Sequence, residues 1–256
     1  MSLEQALAII PAFVLVTFRI GGMMMYAPLF GSVKIPKRVK IFFTLVLALG
    51  ITAGVKNPVH LPETPWGLAI GIGGEMIFGL AMGMVISLVF IAAQWAGEII
   101  GQQIGINAGQ VMDPEYGGGS SAVADLFQML TLIIFLAIGG HLALIRGLCA
   151  SFDALPLMSV GVDRPLIELL TQFFQAAAVL AMRLASPVLV TMLVVDLGLG
   201  VIGKTMPQMN VMSVGLTMRI IVGVAVLAIG ISLTTGVIEQ SLRAALDILQ
   251  GKWSGG

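Results

Sequence analysis

WGLAIGIGGEMIFGLAMGMVISLVFIAA, residues 66–93, is an apolar run with a single charged residue, Glu75, inside it. About 20 consecutive apolar residues are enough for a helix to cross a bilayer, so this stretch predicts a membrane-type helix with length to spare. It does not end cleanly. The run passes into QWAGEIIGQQIGINAG, residues 94–109, which is polar yet has no proline or turn dipeptide to stop it. The helix is therefore expected to continue past the apolar layer, and Trp66 at its start suits a membrane interface.

The rest of the chain is equally oily. Of 256 residues, 58% are hydrophobic and 10% charged, with a mean hydropathy of +1.04; a soluble domain carries roughly 25% charged residues. Further apolar spans are expected over residues 6–27, 39–55, 126–152, 169–202 and 214–235, with a short amphipathic helix, EQSLRAALDILQGKW, at 239–253. The fold class this predicts is all-α, of integral-membrane type, with about six long hydrophobic helices. No repeat of 20 to 50 residues interrupts it, so residues 1–256 are read as one domain. A first helix without a basic leader reads as a retained span. The formal net charge is zero, so no electrostatic footprint for nucleic acid exists and none is expected as a partner. One cysteine, Cys149, excludes an internal disulfide.

Topology does not follow an ordinary bundle. Lys34, Lys37, Arg38 and Lys40 cluster after the first span and mark that loop as cytoplasmic. Strict alternation then puts the segment between the third and fourth spans on the same side, yet residues 93–125 contain no Lys or Arg, only Glu98, Asp113, Glu115 and Asp125.

That segment holds the most unusual chemistry. Glycines at 97, 101, 105 and 109 are four apart, and on a helix they form a bare ridge against which another helix can pack. The same turns carry Glu98, Gln102, Gln103, Asn107 and Gln110, too polar for lipid tails. Helix packing and the lining of an aqueous path both fit Glu98, Gly101, Gln102, Gln103, Gly105, Asn107, Gly109 and Gln110. The next residues, Met112, Asp113, Pro114, Glu115, Tyr116, Gly117, Gly118, Gly119, Ser120 and Ser121, cannot form a stable element alone, because Pro114 disfavours helix at Asp113 and three glycines follow. A solvated connector and a loop held across a pore are both open.

Two further groups stand out. Met206, Met209 and Met212 recur every three residues between the fifth and sixth spans, where flexible thioethers could serve helix packing or a deformable apolar seal. Arg19, Glu75, His141, Arg183, Asp196 and Arg219 lie within apolar spans, where an ionisable group needs a partner or water. Ion pairs between helices are favoured; a secondary transporter relaying ions through Arg183, Asp196 and His141 is the alternative. GLGVIGKT, residues 198–205, matches a phosphate-loop spacing but ends an apolar run rather than joining a strand to a helix. With His60 and His141 in separate segments, no HExxH or GxSxG, and no carboxylates at metal-ligand spacing, neither catalysis, cofactor nor metal is expected.

RIGGMMMYAPLFG (19–31), GEIIGQQIGINAGQVMDPEYG (97–117), GGHLALI (139–145), ASPVL (185–189) and KTMPQMNVMSVG (204–215), in this order along the whole chain, resemble the FliR/SctT family of type III secretion export gates. The resemblance implies a non-enzymatic component of a flagellar export gate in the bacterial inner membrane, at the flagellar basal body. It implies assembly with FliP-like and FliQ-like subunits, and an FlhB-like one, around a pore for unfolded export substrates, with helices lifted from the bilayer plane. It also implies that Met112 to Ser121 plug the closed pore and that the polar turns before them line it. Where the family pattern has an aromatic after Pro-Gln-Met-Asn-Val, this chain has Met212.

Overall fold

The computed structural model describes residues 3–31, 35–52, 54, 64–107, 121–159, 164–206 and 211–251. Among them are seven helices and no strand: α1 (Leu3–Tyr26), α2 (Lys37–Thr52), α3 (Pro65–Ile104), α4 (Ala122–Ala137), α5 (Gly140–Ala154), α6 (Arg164–Thr205) and α7 (Val211–Gly251). The described residues are all-α, but their helices are not six equal spans. Only α3, α6 and α7 are long and apolar enough to cross a membrane, and the count reaches four if α4 and α5 together form one broken span. The apolar part of α1, Ile10–Tyr26, and the 16 residues of α2 fall short. The expected fourth span is divided at Gly139, whose φ of 70° is left-handed and cannot continue a helix.

Local chemistry sets these boundaries. Thr64 caps α3 by accepting the Gly67 amide, with Pro65 at the first helical position, where no amide is missed. α3 then runs 40 residues, about 60 Å at 1.5 Å per residue, twice the roughly 30 Å hydrocarbon thickness. The continuation of the third span into polar sequence is thus one helix. Likewise the sixth span and the amphipathic tail are a single helix of 41 residues, α7. Inside α6, Pro187 cannot donate to the Arg183 carbonyl; the Ser186 hydroxyl donates to that oxygen instead, at 2.9 Å.

The chain divides into two compact units. The first comprises Met1–Leu88, Gly139–Phe174 and Leu242–Gly256. Its core is α1 residues at helical spacing (Leu15, Val16, Ile20, Met23), Phe78, Met82 and Val85 of α3, Leu144 and Leu148 of α5, and Leu242, Leu246 and Leu249 of α7. α1 and α3 meet at their backbones: a Cβ on Gly79 would collide with the Arg19 carbonyl oxygen, an approach only glycine permits. α2 packs on α1 through a narrow seam, Thr44 and Ala48, and Phe43 stacks on Phe30 at 4.9 Å. The second unit comprises Val89–Ile138 and Gln175–Ser241. Its core draws Ala93, Ala96, Ile100 and Ile104 from α3, Val123, Ala124, Phe127 and Phe135 from α4, and Leu180, Leu184, Val188 and Met192 from α6.

Candidate functional site

The polar end of α3 does not extend to residue 110 as a helix. Gly105, at φ +89°, turns the chain left-handed. Its amide donates to the Gln102 carbonyl and the Ile106 amide to Gly101, both at 3.1 Å, the pair of bonds that closes a glycine-terminated helix. The glycine ridge is therefore two residues long on the helix itself. A Cβ on Gly97 would strike the Ala124 backbone at the start of α4, and one on Gly101 would strike the Ser121 hydroxyl. Gly105 ends the helix, and Gly109 and Gln110 lie outside the described residues. Gln102 is exposed, Gln103 half-buried, and Asn107 buried at the turn.

Beside this ridge one carboxylate joins three pieces of chain. Glu98 Oε1 accepts the Ser121 amide at 2.9 Å, and Oε2 accepts from Asn107 Nδ2 at 3.5 Å. Ser121 is fully buried and caps α4, its hydroxyl accepting the Val123 amide at 3.3 Å. In a self-contained cap, a Glu or Gln at the third helical position returns to the cap's own amide. Here that position is Ala124, kept small where Gly97 packs on it, and Glu98 supplies the carboxylate from α3 instead. A negative group at a helix N-terminus is favoured by the helix dipole as well. This tie is not among the sequence expectations; the usable signal is a good N-cap, Ser121, without an acidic residue three positions on.

Asn107, ahead of the candidate plug, and Ser121, its last residue, are thus held at one carboxylate. Of the plug residues only Ser121 is described; Met112, Asp113, Pro114, Glu115, Tyr116, Gly117, Gly118, Gly119 and Ser120 lie outside the described residues, as does Met209. Met206 is exposed just past α6, and Met212 belongs to the first turn of α7.

The ionisable groups within apolar helices separate by environment. Arg19 and Glu75 are fully buried in the first unit, with Nε 2.5 Å from Oε2. Arg19 also donates to the carbonyls of Ser151 and Leu155 at 3.1 and 3.2 Å, and lies over the rings of Phe78 and Phe152. Glu75 Oε1 accepts the Met158 amide at 2.9 Å. One ion pair thus joins α1 and α3 and satisfies carbonyls at the end of α5. In the second unit Arg219 Nη2 of α7 stands 2.7 Å from Asp196 Oδ1 of α6, with 40% and 33% of the side chains exposed. That contact is an ion pair without hydrogen-bond alignment, for Asp196 Oδ1 and Arg219 Nε have no hydrogen-bond partner among the described residues, nor does His141 Nδ1. Arg183 is not buried in the chain; it lies on the exposed side of α6 beside Met182 and Ser186. Asp196 therefore pairs with a residue the relay reading leaves out. Among the described residues no group of His, Cys, Asp or Glu could hold a metal.

Residues 10–245 match the model of the family described as bacterial export proteins, family 1. The chain is 32% identical to the flagellar biosynthetic protein FliR of Caulobacter vibrioides over 91% of this chain and 94% of that protein. It is 26% identical to FliR of Bacillus subtilis over 97% and 96%. It is also 28% identical to the surface presentation of antigens protein SpaR of Shigella flexneri, over 84% and 82%.

Proposed function

This chain belongs to the bacterial export proteins, family 1, and on that premise we propose that it is a non-enzymatic component of a flagellar type III export gate, which helps form and plug the pore for unfolded flagellar subunits. The observation that carries the reading is the placement of the polar turns of α3 directly before residues 108–120, with both flanks, Asn107 and Ser121, buried and tied to Glu98. A polar, glycine-rich segment anchored at both ends can fill an aqueous lumen and still be displaced by a passing chain. The methionines near 206–212 form an adaptable apolar seal in the same scheme.

The chain acts within a hetero-oligomer of FliP-like, FliQ-like and FlhB-like subunits in the bacterial inner membrane, at the flagellar basal body. Two features support that assembly. The apolar window of α7 has only 6% of its residues buried within the chain. The Asp196–Arg219 pair is partly exposed among apolar neighbours, where lipid tails alone would be an unfavourable cover.

The test is the KCl conductance of planar bilayers holding the full chain purified with its export partners. Deletion of residues 112–120 is expected to convert a closed complex into a conducting one without reducing its recovery. Assembled complexes that stay closed after the deletion overturn the plug assignment.

A further inference from the structure

We propose that α2 is a lipid-binding element: it stands along the bilayer normal in one leaflet of anionic phospholipid, with Lys37, Arg38 and Lys40 at the headgroups and residues 41–52 among the acyl chains. The inference rests on the membrane placement in the reading above and not on the plug. It adds which helix meets lipid and which class of lipid that helix selects.

α2 separates its polar and apolar residues along its axis. Its ionisable residues, Lys37, Arg38 and Lys40, lie in the first turn, and every later residue except Thr44 and Thr52 is apolar. Those two hydroxyls need no water, because they donate to the Lys40 and Ala48 carbonyls at 2.8 and 2.6 Å, as burial in hydrocarbon requires. A helix lying flat on a membrane divides by face instead. Around the helix, Thr44 and Ala48 are buried and Phe43 and Leu47 half-buried, the stripe already turned to the protein. Ile41, Phe42, Leu45, Val46, Leu49 and Gly50 are exposed and spread over about 180° at 3.6 residues per turn. That arc is wider than the roughly 100° stripe a helix turns toward one packing partner, whereas acyl chains cover all of it. Residues 41–52 are about 18 Å long at 1.5 Å per residue, just over half of the roughly 30 Å hydrocarbon core, so α2 fits one leaflet and cannot cross to the other face. The three cations stand at the N-terminal end, where the helix dipole disfavours them, and no acid among the described residues pairs with them. A plane of anionic headgroups supplies counter-charge to all three at once.

The experiment uses the full chain co-purified with its export partners and reconstituted in vesicles of phosphatidylcholine with about one-third phosphatidylglycerol. Cys149→Ser removes the native thiol, and a nitroxide is attached in turn at Arg38→Cys, Phe42→Cys, Leu45→Cys and Leu49→Cys. Relaxation by oxygen, which concentrates among acyl chains, against relaxation by a water-soluble nickel chelate gives each label's depth. Position 38 is expected at the headgroups, with depth increasing from 42 to 49 by about 10 Å at 1.5 Å per residue. Equal depths overturn the upright placement, and labels shielded from both reagents reveal a protein partner on α2 and overturn the proposal. The lipid class is read from the preference of the complex for nitroxide-labelled phosphatidylglycerol over phosphatidylcholine. Lys37→Gln, Arg38→Gln and Lys40→Gln together should lower that preference severalfold, by up to about fivefold per charge. Raising KCl to about 1 M should do the same, since the screening length falls to about 3 Å. Lys37→Arg with Lys40→Arg keeps the charges and should keep the preference. If the triple variant does not assemble, Arg38→Gln alone, at an exposed position, carries the test. A preference unchanged by loss of the charges overturns the anionic-lipid assignment. Complexes that do not float with the vesicles overturn the membrane placement and this proposal with it; floating complexes whose α2 labels stay in water overturn the proposal alone.

Discussion

Glu75→Ala is expected to destabilise the chain by about 3–5 kcal/mol, the range for breaking a buried ion pair by removing one partner. Arg19 and Glu75 are each fully buried, so neither can recover solvation when the other is lost. After the substitution the guanidinium keeps the carbonyls of Ser151 and Leu155 at 3.1 and 3.2 Å and the faces of Phe78 and Phe152 at 5.0 and 4.4 Å. None of these carries a full negative charge. The Met158 amide, which donates to Glu75 at 2.9 Å, loses its acceptor too, an effect of about 1–3 kcal/mol that forms part of the same total. For a chain of this size each kcal/mol moves Tm by about 2–4 °C, so Tm should fall by about 6–20 °C. Thermal unfolding in detergent, followed by tryptophan fluorescence, measures this. The decisive control is Arg19→Met with Glu75→Leu, which leaves no uncompensated charge and should lose less than Glu75→Ala alone. A shift below about 2 °C for Glu75→Ala, or a double variant as unstable as the single one, refutes the reasoning.

Gly105→Ala and Gly139→Ala should each cost about 1–2 kcal/mol, since both positions have left-handed φ, +89° and 70°. Gly21→Ala, inside α1 with open space at its Cβ, should be neutral or stabilising by up to about 1 kcal/mol; the same Tm measurement separates the three. Asp196→Leu leaves Arg219 without its counter-charge among the apolar neighbours of α6 and α7 and should lower recovery of the complex with export partners. Adding Arg219→Leu should restore that recovery. An ion-relay role predicts the opposite: complexes recovered in full with transport lost.

The site was partly legible before any coordinates. The polar residues after the third span, their glycine spacing and the following acidic, glycine-rich stretch are chemical facts of the chain, and they point to one region. Two things about that region were not legible. A four-residue glycine period suggests a helix to 109, but glycine supports helix packing and left-handed termination equally well; Gly97 does the first and Gly105 the second. The partner of Glu98 is equally hidden, because Ser121 is 23 positions away and helical periodicity speaks only of residues three or four apart. Arg19 raises the same difficulty: its need for a counter-charge is evident, while the choice of Glu75 and the added carbonyls of α5 depend on packing across 56 and more residues.

Span counting fails for a related reason. Hydropathy sums over a window and registers neither a left-handed residue within it nor a helix that continues beyond it, so Gly139 divides an apparent span and α7 absorbs the tail. The sequence by itself determined helical class, apolar character, the need of Arg19 and Glu75 for partners, and the polar segment flanked by glycine and serine, because these follow from composition and local periodicity. Only the tertiary structure decided which charges meet and where helices end. It also showed that a single carboxylate on α3 holds both flanks of residues 108–120, because such contacts depend on backbones approaching to within van der Waals distance, and no local pattern encodes which distant glycine will meet which helix.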